Sequence, residues 1–155
     1  MLALERIVLS PDQPGMPPAS DRARAQIDDA VAGRRPILVV DDDPDIVAML
    51  RDFLESEGLA VRTAANGAEA LELLDTVAPA LILLDMRMPV LDGWGFAERL
   101  RERNVAYPIV VMSAAQSAQS WAEEIGATGY IAKPFDVNEL LQTIERHRHR
   151  DSTPN

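Results

Sequence analysis

Leu81-Ile82-Leu83-Leu84 is the stretch that most limits what this chain can fold into. A strand with one face in water alternates apolar and polar residues. An unbroken aliphatic run reads instead as a strand buried on both faces, the pattern of a parallel sheet. Asp85 follows at once, and Pro89 prevents a simple continuation of the strand. Ligands of open α/β sheets gather at the carboxyl ends of the strands, which puts Asp85 in a position to do chemistry.

The same grammar recurs along the chain. Ile37–Val40 and Pro108–Met112 are also unalternating, and Leu59–Thr63, Ala80–Leu84 and Gly129–Ala132 complete a set of five expected strands. Helical spacing fills the intervals. A helix starts at Pro44 or Asp45, with Ile46, Leu50, Phe53 and Leu54 on one face and Gly58 as its stop. Asn66 caps a second, carrying Ala70, Leu71, Leu74 and Val77 before Pro79. Gly93–Arg103 and Gln116–Ile125 follow, and Asp136 caps a closing helix with Val137, Leu140, Leu141 and Ile144 inward. Five βα units within about 110 residues make one doubly wound α/β domain, a three-layer fold with helices on both faces.

Residues 1–35 read as an extension to that domain. Five prolines or glycines within Ser10–Ala19 make a linker, and Asp21–Ala32 reads as a short helix ending at Gly33. Residues 36–147 form the domain, and 148–155 are expected to be a disordered tail. His147-Arg148-His149 reads as solvated and basic, since no acidic or apolar shell surrounds it. Trp94 and Trp121 read as partly buried packing residues, Trp121 with the option of facing a partner.

Charge narrows the classes of function. The formal net charge is -10, and residues 37–146 hold 19 acids against 8 bases, a net of -11. Such a domain is a poor non-specific nucleic-acid binder and suits a hard cation or a basic partner. The chain has no cysteine, so disulfides and thiolate metal sites are excluded. No apolar run approaches a membrane span and no signal peptide is evident, so a cytoplasmic location is expected.

Four strands end on polar residues that share one edge of a parallel sheet. These are Asp41-Asp42-Asp43, then Asp85, Ser113 and Lys133. Crowded carboxylates raise one another's pKa unless a cation neutralises them, and an oxygen-only donor set selects Mg²⁺ or a similar ion. A carboxylate is a competent nucleophile toward a phosphoryl group, a transfer that needs mainly positioning and positive charge on the equatorial oxygens. Lys133 is the chain's only lysine against fourteen arginines, and a compact ammonium suits a phosphate point charge. Ser113 offers a hydroxyl.

The segments Ile37–Asp43, Leu84–Pro89 with Asp92-Gly93, Val111–Ala114 and Gly126–Phe135 resemble the receiver domain of two-component response regulators. The resemblance covers about Pro36 to Arg146. It implies a flavodoxin-like (βα)5 fold with sheet order 2-1-3-4-5. It further implies phosphorylation of Asp85 by a histidine kinase or histidine phosphotransfer protein. Asp42, Asp85 and the Arg87 backbone carbonyl would ligate Mg²⁺, with Asp41 helping through water. Ser113, Lys133 and the Ala114 N–H would hold the phosphoryl oxygens. Ser113 and Tyr130 would form a switch pair that remodels the face of the fourth helix, last strand and last helix for a downstream protein target. The Lys133–Pro134 bond would be cis. The short end after His149 places the chain with single-domain receivers, not an enzyme beyond its own phosphorylation and dephosphorylation, with no direct contact to nucleic acid or membrane and a homodimer as an option.

Two other readings fit parts of the pattern. Val39-Val40-Asp41-Asp42-Asp43 also matches the start of haloacid-dehalogenase-type phosphatases, with Asp41 as nucleophile and Asp43 as acid/base; the chain is short for that family and lacks an acidic pair after Lys133. A phosphorylation-independent receiver-fold scaffold, docking through its N-terminal helix, is the other.

Overall fold

The structure is a computed structural model and describes residues 35–152. The linker expected over Ser10–Ala19 and the helix expected over Asp21–Ala32 lie outside that range. Five strands, β1 (Ile37–Val40), β2 (Val61–Ala64), β3 (Leu81–Asp85), β4 (Ile109–Ala114) and β5 (Gly129–Lys133), form one sheet in the order β2-β1-β3-β4-β5. All four pairings are parallel. The helices are α1 (Pro44–Ser56), α2 (Gly67–Leu73), α3 (Gly93–Glu102), α4 (Ala115–Ile125) and α5 (Val137–Ser152).

The unbroken apolar runs have a direct explanation in the packing. Leu38, Val40, Ile82, Leu84 and Val111 face one side, where Ala70 and Leu71 of α2, Phe96 and Leu100 of α3, and Ala122 and Ile125 of α4 cover them. Ile37, Val39, Leu81, Leu83, Val110 and Met112 face the other, under Leu50 and Leu54 of α1 and Leu140 and Ile144 of α5. Neighbours on a strand point to opposite faces, so a sheet covered twice needs every position apolar.

Local signals set the helix ends. The Asp43 carboxylate accepts from the Asp45 and Ile46 N–H groups at the start of α1, the Asn66 side chain from Glu69 N–H, and the Asp92 side chain from Gly95 N–H. Each such cap contributes about 1 kcal/mol. Gly58 and Gly126 have positive φ, 87° and 69°, as helix stops require.

Strand ends differ modestly from the sequence reading. The second strand starts two residues later than expected, and the fourth runs through Ser113 to Ala114 before α4 begins. Ser113 and Lys133 therefore belong to strands instead of following them. Pairing continues there because Ser113 stands opposite Ala132 and Ala114 opposite Lys133 in the β4–β5 ladder.

The C-terminal reading is corrected more substantially. Residues 148–152 continue α5 instead of forming a tail, and His147 and Arg148 are buried, not solvated. The His147 ring lies against Gly129, where a Cβ would meet its Nε2 at 2.5 Å. Arg148 pairs with Glu145 one turn back. Gly129, at the start of β5, is distant in sequence from His147, so the residues adjacent to His147 carry no sign of its burial.

A candidate phosphoacceptor site at the carboxyl edge of the sheet

Sheet register brings the acids together. Val40 pairs with Leu84 between β1 and β3, so the next residues, Asp41 and Asp85, emerge side by side at the carboxyl edge. Asp41, Asp42 and Asp85 each present a carboxylate oxygen, and these oxygens lie within 4.8 Å of one another. Lys133 arrives from β5. Its ammonium is 3.1 Å from Asp41 Oδ2 and 3.6 Å from Asp85 Oδ1.

The three acids occupy different environments. Asp41 is buried, with its Oδ1 accepting from Asp43 N–H at 2.9 Å and its Oδ2 facing Lys133. Asp42 is exposed. Asp85 is partly buried, and desolvation together with the negative charges of Asp41 and Asp42 pushes its carboxyl up to about 6, against the pull of Lys133. All-oxygen donors in a cluster that disfavours its own charge fit a hard divalent cation. Asp41, Asp42 and Asp85 are the side chains that would hold it.

Ser113 is buried at the same edge, beside Met112, which pairs with Asp85. Tyr130, on β5, is 44% exposed. The Lys133–Pro134 bond is cis. The loop after Asp85 is held by close backbone contact: Gly93 N–H donates to the Met86 carbonyl at 2.9 Å, and a Cβ on Gly93 would lie 2.8 Å from Met86 Cα. Glycine is required there for the approach alone.

Asp41 is poorly disposed for the phosphatase role. It is enclosed, and both its oxygens are engaged. Asp43, the acid/base of that reading, is occupied in capping α1. Asp85 is the more accessible carboxylate, with its side chain 14% exposed against 1% for Asp41.

One arrangement beside the site leaves little trace in the sequence. The Arg87 guanidinium lies over the Trp121 ring, 5.1 Å from its centroid, and Trp121 meets Trp94 edge-on with centroids 5.0 Å apart. Trp94 Nε1 donates to Glu124 at 2.8 Å. The signal available was that the chain's two tryptophans fall on successive helices of one sheet face.

A doubly wound sheet with an acidic cluster and a lysine at its carboxyl edge defines a class of phosphoryl-accepting α/β domains. The chain belongs to the response regulator receiver domain family, whose model matches residues 37–145. Receiver domains serve two-component phosphorelays, in which response regulators interact with histidine kinases and downstream targets. The chain is 41% identical over 120 residues to the transcriptional regulatory protein PrrA of Mycobacterium tuberculosis, covering 76% of this chain and 52% of PrrA. The receiver domain of the Francisella response regulator 1452 superposes with a TM-score of 0.69 at 32% identity, covering 75% of this chain and 98% of that one. The response regulator TrrA of Thermotoga maritima, solved in complex with Mg(2+)-BeF, gives 0.64 at 30% identity, with 72% and 97% covered. The chain spans 24% to 52% of the length of the curated transcriptional regulators it matches.

Proposed function

We propose that Asp85 is the phosphoacceptor, taking a phosphoryl group from a phosphohistidine of a sensor kinase or phosphotransfer protein. The observation that carries this is the Lys133 ammonium, 3.6 Å from the Asp85 carboxylate at the edge where three acids converge. An Asp85 oxygen attacks phosphorus, the phosphorus–nitrogen bond of the donor breaks, and the imidazole leaves with the electron pair. Lys133 meets the charge on the phosphoryl oxygens, and the Ser113 hydroxyl and Ala114 N–H donate to them. Asp41 holds Lys133 in place from beneath. A magnesium ion, when bound by Asp41, Asp42, Asp85 and the Arg87 carbonyl, would neutralise the crowded carboxylates and polarise the phosphoryl group. The Mg(2+)-BeF complex of TrrA supports that assignment by similarity.

Output in this reading is a change of shape. Ser113 is drawn toward the phosphoryl group, the exposed Tyr130 ring turns inward, and the face of α4, β5 and α5 is presented to a protein target. The chain acts in the cytoplasm and catalyses only its own phosphorylation and dephosphorylation. Incubation with a small-molecule phosphodonor and Mg²⁺, followed by intact-mass measurement, tests the assignment. One added phosphoryl group, lost in Asp85→Asn, is expected. Steady phosphatase turnover that disappears in Asp41→Asn would sink it.

A further inference from the structure

Arg87 stands two residues beyond Asp85 and is itself exposed, and its guanidinium turns to α4 to lie over Trp121. Among the described residues no carboxylate pairs with it. Trp121 is itself braced: Trp94 of α3 packs against it edge-on and is tied by its indole N–H to Glu124, one turn further along α4. The ring is thus braced by its neighbours, whereas Arg87 is exposed to solvent.

We propose that Trp121 is a positioning residue that holds Arg87 off the phosphoacceptor until an anion arrives there. This rests on Asp85 as the phosphoacceptor. A cation–π contact at a partly exposed site is weak, whereas an arginine–phosphoryl pair forms two charge-assisted hydrogen bonds. A phosphoryl group on Asp85 therefore competes for the guanidinium and wins. Arg87 leaves the ring, shields the phosphoryl oxygens, and exposes the indole on the α3–α4 side. The cost of leaving Trp121 is subtracted from the affinity of the site for its anion, so the ring tunes how readily Asp85 holds a phosphoryl group.

The test uses beryllofluoride with Mg²⁺ as the phosphoryl stand-in, read by NMR of the Arg87 Nε–Hε resonance and by titration. In the wild-type protein the resonance is expected to show the ring-current shift of Trp121 and to lose it on saturation. Trp121→Leu should bind beryllofluoride about two- to fivefold more tightly, the worth of the contact removed. Trp121→Phe, which keeps a ring, should stay near wild type. The gain should vanish when Arg87→Ala is already present, because the effect acts through that side chain. A gain that persists with Arg87→Ala, no gain at all, or an Arg87 resonance that stays on the ring at saturation overturns the proposal. If Trp121→Leu does not fold, the wild-type resonance and Trp121→Phe decide it. Failure of the wild-type protein to bind beryllofluoride would count against Asp85 as phosphoacceptor instead, and the two failures are told apart in the first titration.

Discussion

Lys133 and Asp41 are 92 residues apart in the chain and 3.1 Å apart in the fold. The pair joins the last strand to the first across the carboxyl edge, with Asp85 between them. Asp41 is almost fully enclosed, so its charge depends on this ammonium and on the Asp43 N–H for compensation.

Removing the lysine therefore leaves an enclosed carboxylate short of its counter-charge. Lys133→Met should lower stability in Mg²⁺-free urea unfolding by about 2–3 kcal/mol, less than for a fully buried pair because Lys133 is 26% exposed. Adding Asp41→Asn should recover most of that loss. Unchanged stability in the single variant would show that Asp41 is compensated in some other way.

Asp85 makes stability depend on pH in the direction opposite to an ordinary salt-bridged acid. Its carboxyl is raised from 3.8 to about 6, so the folded protein keeps a proton that the unfolded chain has released. The stabilisation is complete below about 4 and is lost as pH rises through about 6. With its side chain 14% exposed, the loss is about 2 kcal/mol. In EDTA at pH 7.5, Asp85→Asn should unfold at a higher urea concentration than the wild type, and the difference should close below pH 4. Mg²⁺ should stabilise the wild type at pH 7.5 and do little at pH 4.5. A wild type as stable as Asp85→Asn at pH 7.5 without metal would contradict the repulsion.

Val90 carries local strain beside the site. Its φ is 70°, and Leu91 N–H donates to the Pro89 carbonyl at 2.8 Å, a γ-turn of the hand that β-branched residues resist. The residue is 80% exposed and its side chain gains little by packing. Val90→Gly should relieve about 1–2 kcal/mol of strain and give back about 0.5–1 as unfolded-chain entropy. A net gain of about 0.5–1 kcal/mol is expected, read as a higher urea midpoint at constant m-value. A lower midpoint would mean the turn is not strained.

Much of the architecture was legible in the order of residues because a doubly covered sheet leaves an unambiguous trace. Ile37–Val40, Leu81–Leu84 and Ile109–Met112 must be apolar at every position when helices close both faces, and Asp43, Asn66 and Asp92 mark helix starts by chemistry local to one turn. The convergence of Asp41, Asp85 and Lys133 was legible for the same reason, since parallel strands share one carboxyl edge. Tertiary structure alone decided how their surroundings differ. Register and helix packing bury Asp41 and leave Asp85 more accessible, a difference that residue type does not encode and on which the proposed roles rest. Burial of His147 against Gly129 and the seat of Arg87 on Trp121 were also decided there. Each is a contact between elements distant in sequence, and local periodicity carries no record of which side chain a neighbouring element will bring.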